Sequence, residues 1–188
     1  MEIIPANVIS EIEAMPKPLI IGISGFGGAG QSTAAIALGK KIQAPIVSVD
    51  SFFKNSKDNN YERWEIIDFA RLMTEVIIPF RSGKNPIRYG HFDWNMNRIV
   101  EEKEVHHDGK IIIEGVGLFR VDLNECLDFK IWIACSPIQA TERGKKRDRE
   151  EHQNPQDELW DGVWKRNDEQ YLHSFQPEEA ADVIVDNA

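Results

Sequence analysis

LIIGISGFGGAGQST, residues 19–33, is the stretch whose reading decides the fold. Residues 19–24 form a continuous apolar run of strand length. Such a run reads as a strand buried on both faces, as in a parallel sheet. It empties into a glycine cluster, Gly25 to Gly30, and Ser32 opens a stretch of good helix formers, STAAIALGKK. Gly25-Phe26-Gly27-Gly28-Ala29-Gly30-Gln31-Ser32-Thr33 matches the phosphate-loop pattern GxxxxG-K-[ST] at every fixed position but the lysine, where Gln31 stands. Glycines let the backbone fold back and aim several N–H groups at one anion. The helix that follows adds the positive end of its dipole. Ser32 suits Mg²⁺ through its hydroxyl, and Thr33 suits an α-phosphate oxygen.

The same glycines spell a second pattern. Gly25, Gly27 and Gly30 give GxGxxG, and Asp50 follows 20 residues after Gly30. That is the dinucleotide fingerprint with its spacing, so an NAD-binding Rossmann reading stands beside the phosphate loop. Three features favour the phosphate loop. Ser32-Thr33 has no task in a dinucleotide loop. The chain is short for two domains. The basic cluster at 143–149 suits phosphate chemistry.

Outward from the loop, IVSVD (46–50), KIIIEG (110–115), KIWIAC (130–135) and DVIVD (182–186) read as further strands. Helical patterns fall at 3–15, 32–41, 65–80, 137–152 and 157–173. Strands alternating with helices argue for a parallel sheet covered on both faces. The expected fold is α/β, a three-layer P-loop NTPase fold in one domain, 1–188. Its sheet is five-stranded and mostly parallel, with strand 19–24 in the centre. Residues 81–109 read as a small β-rich insertion at the sheet's carboxyl end, with Asp108-Gly109 as a hairpin turn. A lid is expected at about 138–155. The stripe of Leu159, Trp160, Val163, Trp164 and Tyr171 reads as a core-packing helix face.

The chain has 188 residues and a net charge of −9, with 41% hydrophobic and 28% charged residues. A surface that acidic repels nucleic acid and anionic membranes, so neither is expected as a partner. No apolar run is long enough to span a bilayer. Cys126 and Cys135 form no CxxC pair and suit buried thiols in a reducing cytoplasm. His106-His107 lacks an evident third ligand, so no transition metal is expected. Self-association into a homo-oligomer stays open.

Asp50, at the end of a strand beside the loop, is placed to accept a proton from a substrate hydroxyl, or to cap a helix. Glu114 ends another apolar strand, the pattern of an acid that binds the waters of Mg²⁺, or of a solvated strand end. Arg143, Lys145, Lys146, Arg147 and Arg149 crowd one helix. Closing over transferring phosphates and pairing with Glu142, Asp148 and Glu150 are equal readings of that cluster. In His91-Phe92-Asp93-Trp94 the aromatics suit base stacking or local packing. Lys40 and Lys41 sit too far down their helix to replace the missing lysine; Lys145 or Lys146 could swing in.

These pieces, in this order, resemble the uridine kinase family, in its small bacterial branch, over almost the whole chain. IGISGFGGAGQST resembles its phosphate loop, giving nucleotide contacts at Gly25, Gly27, Gly28, Ala29, Gly30, Gln31, Ser32 and Thr33. VSVDSFFK resembles the segment of the catalytic aspartate, here Asp50. YERWEIIDF is similar to the segment whose acid binds ribose hydroxyls, by position Glu62. YGHFDWN resembles the base-binding insertion, giving Phe92, Asp93 and Trp94. IIIEGVGLF is similar to the strand carrying a metal-site acid, Glu114, which joins Ser32 as the metal-binding pair. TERGKKRDREE resembles the lid, giving Arg143 and Arg147 at the phosphates and Arg149 on the nucleotide. The resemblance implies ATP- or GTP-dependent phosphorylation of a nucleoside 5′-hydroxyl, uridine- or cytidine-like, with Mg²⁺. Gln31 and Glu62 are the two departures from the family pattern.

Overall fold

The computed structural model describes residues 4–54, 61–93 and 96–187. Helix α1 (Ala6–Ala14) precedes strand β1 (Leu19–Gly25). All seven residues of β1 are buried. The reason is its place: β1 lies at the centre of the sheet, paired in parallel on each edge, where the layers packed on the sheet cover its faces. Each fully buried Ile or Leu side chain there is worth about 1.5–3 kcal/mol relative to exposure.

Helix α2 (Gln31–Ile42) leaves the glycine loop without a side-chain cap. Its N-cap, Gly30, sits at φ 102, a left-handed turn that glycine tolerates. The amides of the first helical turn, which have no intrahelical carbonyl to meet, stay available. Strand β2 (Ile46–Ser48) then gives way to a 3₁₀ turn, Val49–Phe52. Asp50 therefore lies on this turn and not on the strand. Ser48 sets the change, because its side chain accepts the Asp50 N–H at 3.3 Å and caps the turn.

Helices α3 (Phe69–Leu72) and α4 (Ile78–Arg81) are joined by a π turn, Met73–Ile77. The helix starts at Phe69, four residues later than its periodicity suggests, because Asp68 caps it by accepting the Arg71 N–H. Strands β3 (Ile87–Asp93) and β4 (Arg98–Val105) pair antiparallel and form the β-rich insertion. Their connection runs between Asp93 and Arg98. Asp108-Gly109 is not that hairpin's turn; it leads on to β5 (Lys110–Glu114), held by a Lys17–Asp108 ion pair of 2.8 Å. The insertion sits beyond the carboxyl end of β2, where Phe52 stacks on Tyr89 at 5.3 Å.

Helix α5 (Val121–Asn124), strand β6 (Phe129–Ala134) and helix α6 (Pro137–Glu150) follow. Helices α7 (Asp157–Leu159) and α8 (Lys165–Phe175) are joined by a second π turn, Trp160–Trp164. Helix α9 (Pro177–Ala180) and strand β7 (Val183–Asp186) close the described chain. The five-stranded sheet is parallel throughout, in the order β2-β5-β1-β6-β7, with β1 central as expected. In the Rossmann order the second strand lies beside the first. Here β5 separates β2 from β1, so the acid after β2 is not on a neighbouring strand of the glycine loop. No helix among the described residues is long and apolar enough to cross a membrane.

Candidate functional site

The glycine loop, the 3₁₀ turn after β2 and the end of β5 all emerge at the carboxyl edge of the sheet. They form the floor of a cleft of about 560 Å³. Gly27, Gly28, Gln31, Ser32, Asp50 and Glu114 line that floor. An α/β sheet offers its ligand site at this edge, where strand order switches direction around β1.

Ser32 Oγ donates to Glu114 Oε2 at 2.9 Å. Glu114 is buried, and that burial, with the nearby charge of Asp50, pushes its pKa up to about 7. Hydrogen bonds from Ser48 and Ser32 and the charge of Arg147 oppose the rise. These are hard oxygen donors, which suit Mg²⁺ over softer metals. Among the described residues no group of three His, Cys, Asp or Glu forms a metal cage. Mg²⁺ needs none, because it keeps waters and takes substrate phosphates as ligands. The pair Ser32 and Glu114 therefore fits that ion.

Asp50 is exposed at the cleft, with protein atoms crowded around its carboxyl group. Desolvation raises its pKa above the usual carboxylate value, and the Arg147 guanidinium pulls it back. Arg147 lines the cleft. The other cations of α6 are engaged elsewhere. Arg143 donates to the Asn187 carbonyl at 2.6 Å, Lys145 pairs with Asp161, Lys146 with Glu150 and Arg149 with Asp157. None of those four lines the cleft. Neither Lys145 nor Lys146 reaches the place of the missing lysine in this structure.

Helix α6 lies directly on the glycine loop. A Cβ on Gly28 would run into the Ala140 carbonyl of α6, and Gly28 already holds φ +85. Gly28→Ala is thus expected to cost about 2–4 kcal/mol from backbone strain and overpacking, lowering Tm by roughly 5–15 °C. A thermal melt checks it; an unchanged Tm would mean that α6 does not press on the loop in solution.

The opposite wall of the cleft is aromatic: Phe53, Trp64, Trp160 and Trp164. The sequence stripe at 159–171 divides. Leu159, Trp160 and Trp164 face the cleft, while Tyr171 goes to the core. Trp160 and Trp164 meet edge to face at 4.8 Å. The π turn that carries them widens the helix and moves both indoles off the regular stripe. Trp64 and Arg63 hold left-handed backbone angles, φ 60 and 50, a conformation costing about 1–3 kcal/mol at a non-glycine residue. Helix α8 supports them, since Asn167 Oδ1 accepts the Trp64 N–H at 2.6 Å and Gln170 Oε1 accepts the Arg63 N–H at 3.1 Å.

Glu62 is exposed and does not line the cleft. Phe92 is buried in the core beside Phe53, their rings 6.2 Å apart, which leaves it no free face for stacking. Asp93 accepts the Met96 N–H at 2.8 Å within the insertion. Trp94 lies outside the described residues. Thr33 is exposed on the first turn of α2, and Gly25, Ala29 and Gly30 shape the loop beneath the cleft floor. The aromatic wall is what sequence reasoning missed. Two tryptophans four apart, just after a basic lid, were its one visible signal.

No family model matches the chain. Uridine-cytidine kinase D of Dictyostelium discoideum is 30% identical over 126 residues, covering 64% of this chain and 25% of that protein. The uridine kinase of Clostridium novyi (strain NT) is 28% identical over 132 residues, 63% of this chain and 62% of the relative. The chain thus spans a quarter of the first relative's length and about three fifths of the second's. In structure it is similar to a possible uridine kinase from Bacillus stearothermophilus, with a TM-score of 0.72 and 20% identity over 96% of each chain. In sequence the chain is uridine-kinase-like, and its fold is that of the P-loop kinases.

Proposed function

We propose that this uridine-kinase-like P-loop chain transfers a phosphoryl group from a nucleoside triphosphate, ATP or GTP, to a nucleoside or a similar small hydroxyl compound. One observation carries the reading: Asp50 lines the same cleft as the Ser32–Glu114 pair, near enough for its charge to bear on Glu114, and the glycine loop is the floor of that cleft. A base, a phosphate cradle and a metal-suited pair then share one space.

In this reading the open amides at the start of α2 bind the phosphates. Ser32 and Glu114 would hold Mg²⁺, whose charge would offset that of the phosphate oxygens. Asp50 takes the proton of the acceptor hydroxyl. Arg147 stabilises charge that grows on the phosphoryl oxygens. Half-buried Trp164 offers a flat apolar face to the acceptor, with buried Phe53 and Trp64 lining the cleft beside it, which supports a planar ring such as a nucleobase.

Gln31 favours a second reading, a nucleotide-binding protein with little or no turnover. Lysine would supply a charge-assisted hydrogen bond worth about 1.5–3 kcal/mol. Gln31→Lys is therefore expected to raise turnover by about 10- to 150-fold. The test is Mg·ATP-dependent ADP release over a panel of nucleosides, for the protein as it stands and for Gln31→Lys. Acceptor-dependent release by the unaltered protein supports the phosphotransferase. Release by Gln31→Lys alone supports the second reading. Silence from both with every acceptor would remove nucleosides as the substrate class.

A further inference from the structure

Asp168, on α8, lies between the glycine loop that floors the cleft and Trp64 of its aromatic wall. One carboxylate oxygen accepts the Gly27 N–H at 3.0 Å. The other accepts the Trp64 indole N–H at 2.8 Å. Gly27 leads the phosphate loop, and Trp64 belongs to the aromatic wall. A single carboxylate thus bridges the nucleotide half of the cleft and its acceptor half.

The contact is unusual for what the loop is built to do. An amide that a phosphate cradle would turn toward its anion is already bonded to an anion of the protein itself. Among the described residues no cation pairs with Asp168. The charged group that bears on Asp168 from its own helix is Glu169, of like sign. Tyr171 on the same helix feels the charge of Asp168 but donates nothing to it. The facing segments offer neutral donors, Gly27 from the loop and Trp64 from the wall. Trp160, from the π turn, packs its ring against Gly27 and encloses the contact. Across the cleft, Arg147 acts on Asp50 and Glu114.

We propose that Asp168 is a positioning residue that serves as an internal anion on the phosphate loop, coupling the order of Trp64 to the loop's affinity for a bound phosphate. The inference rests on the phosphotransferase reading only in taking the glycine loop as a phosphate site. When Asp168 is ionised it repels an incoming triphosphate and holds the loop to Trp64. When it is neutral the repulsion is gone.

Burial raises the Asp168 pKa to about 7, against the two hydrogen bonds that favour its charged form. The neutral form therefore predominates below that value and the anion above it. If only the neutral form admits the triphosphate, its share falls from about nine tenths at pH 6 to about one tenth at pH 8, an affinity change of about tenfold. Glu114 titrates in the same range in the opposite sense, since its anion attracts Mg²⁺. A variant at Asp168 separates the two.

The experiment is Mg·ATP binding by titration calorimetry from pH 6 to pH 8, in the parent and in Asp168→Asn. The expected result is that parental affinity falls, relative to the variant, by up to about tenfold across that range. Trp64→Phe keeps a ring and removes the N–H, so ionised Asp168 loses a donor and the midpoint of the parental profile should move up. This variant also keeps the proposal testable if Asp168→Asn fails to fold. Parallel profiles in the parent and Asp168→Asn overturn the role of Asp168 and leave the phosphate-loop reading standing. An unmoved midpoint in Trp64→Phe overturns the coupling to the wall. No Mg·ATP binding by the folded parent at any pH overturns the phosphate-loop reading and this inference together.

Discussion

Asp50→Asn is expected to lower phosphoryl transfer by about 10²- to 10⁴-fold, the usual contribution of a general base. Mg·ATP affinity should stay nearly unchanged. The asymmetry follows from position. Asp50 is fixed by the Ser48 cap on its own N–H, beyond β2, while the phosphate amides belong to the loop after β1. Asparagine keeps the size and the capped turn but cannot take a proton. Desolvation raises the Asp50 pKa, which moves it toward the range in which a base works best at neutral pH. The check is a single-turnover assay with the best acceptor from the nucleoside panel, beside a binding titration. A variant retaining most of its transfer rate would remove Asp50 from the chemistry. A variant losing rate and nucleotide affinity together would make it a binding group for the metal or the phosphates.

The sheet was legible in the sequence because its signals are local. Residues 19–23 and 111–113 are apolar on both faces, and only a central parallel strand needs that. The glycine loop was legible because few other sequences turn a backbone so tightly. What could not be read depends on distant partners. Asp50 looks like a strand end until Ser48 is seen to cap it. Asp108-Gly109 looks like a hairpin tip because turn chemistry is local, whereas the pairing of β3 with β4 is set by burial of Ile87, Tyr89 and Phe92. The aromatic wall draws Phe53, Trp64, Trp160 and Trp164 from three separate segments. A π turn, which a 3.6-residue period does not describe, brings the last two into it. The basic cluster at 143–149 is uniform as a string. The structure sorts it by partners that lie as far off as Asn187, Asp157 and Asp161.

That sorting leads to the second large effect. Arg147→Ala is expected to lower transfer by about a thousandfold, the lower range for an arginine that stabilises a phosphoryl transition state. Arg147 lines the cleft with Gln31, and its charge reaches both Asp50 and Glu114. In a loop without its lysine, this guanidinium is the cation best placed to meet charge growing on the phosphoryl oxygens. Its neighbours support the placement. Arg147 Nη2 donates to Asp148 Oδ1 at 3.2 Å, and Trp160 Nε1 donates to the other oxygen of Asp148 at 2.7 Å, so the wall of the cleft helps orient it. Arg147→Lys should recover part of the loss, since lysine restores the charge without the planar fork. The decisive comparison is a double-mutant cycle with Gln31→Lys. If the two cations share one task, Gln31→Lys will raise turnover by a larger factor in Arg147→Ala than in the parent, and the effects will not add. Additive effects would mean that Arg147 and position 31 act on different charges. A loss below tenfold in Arg147→Ala would place the compensating charge outside the lid helix.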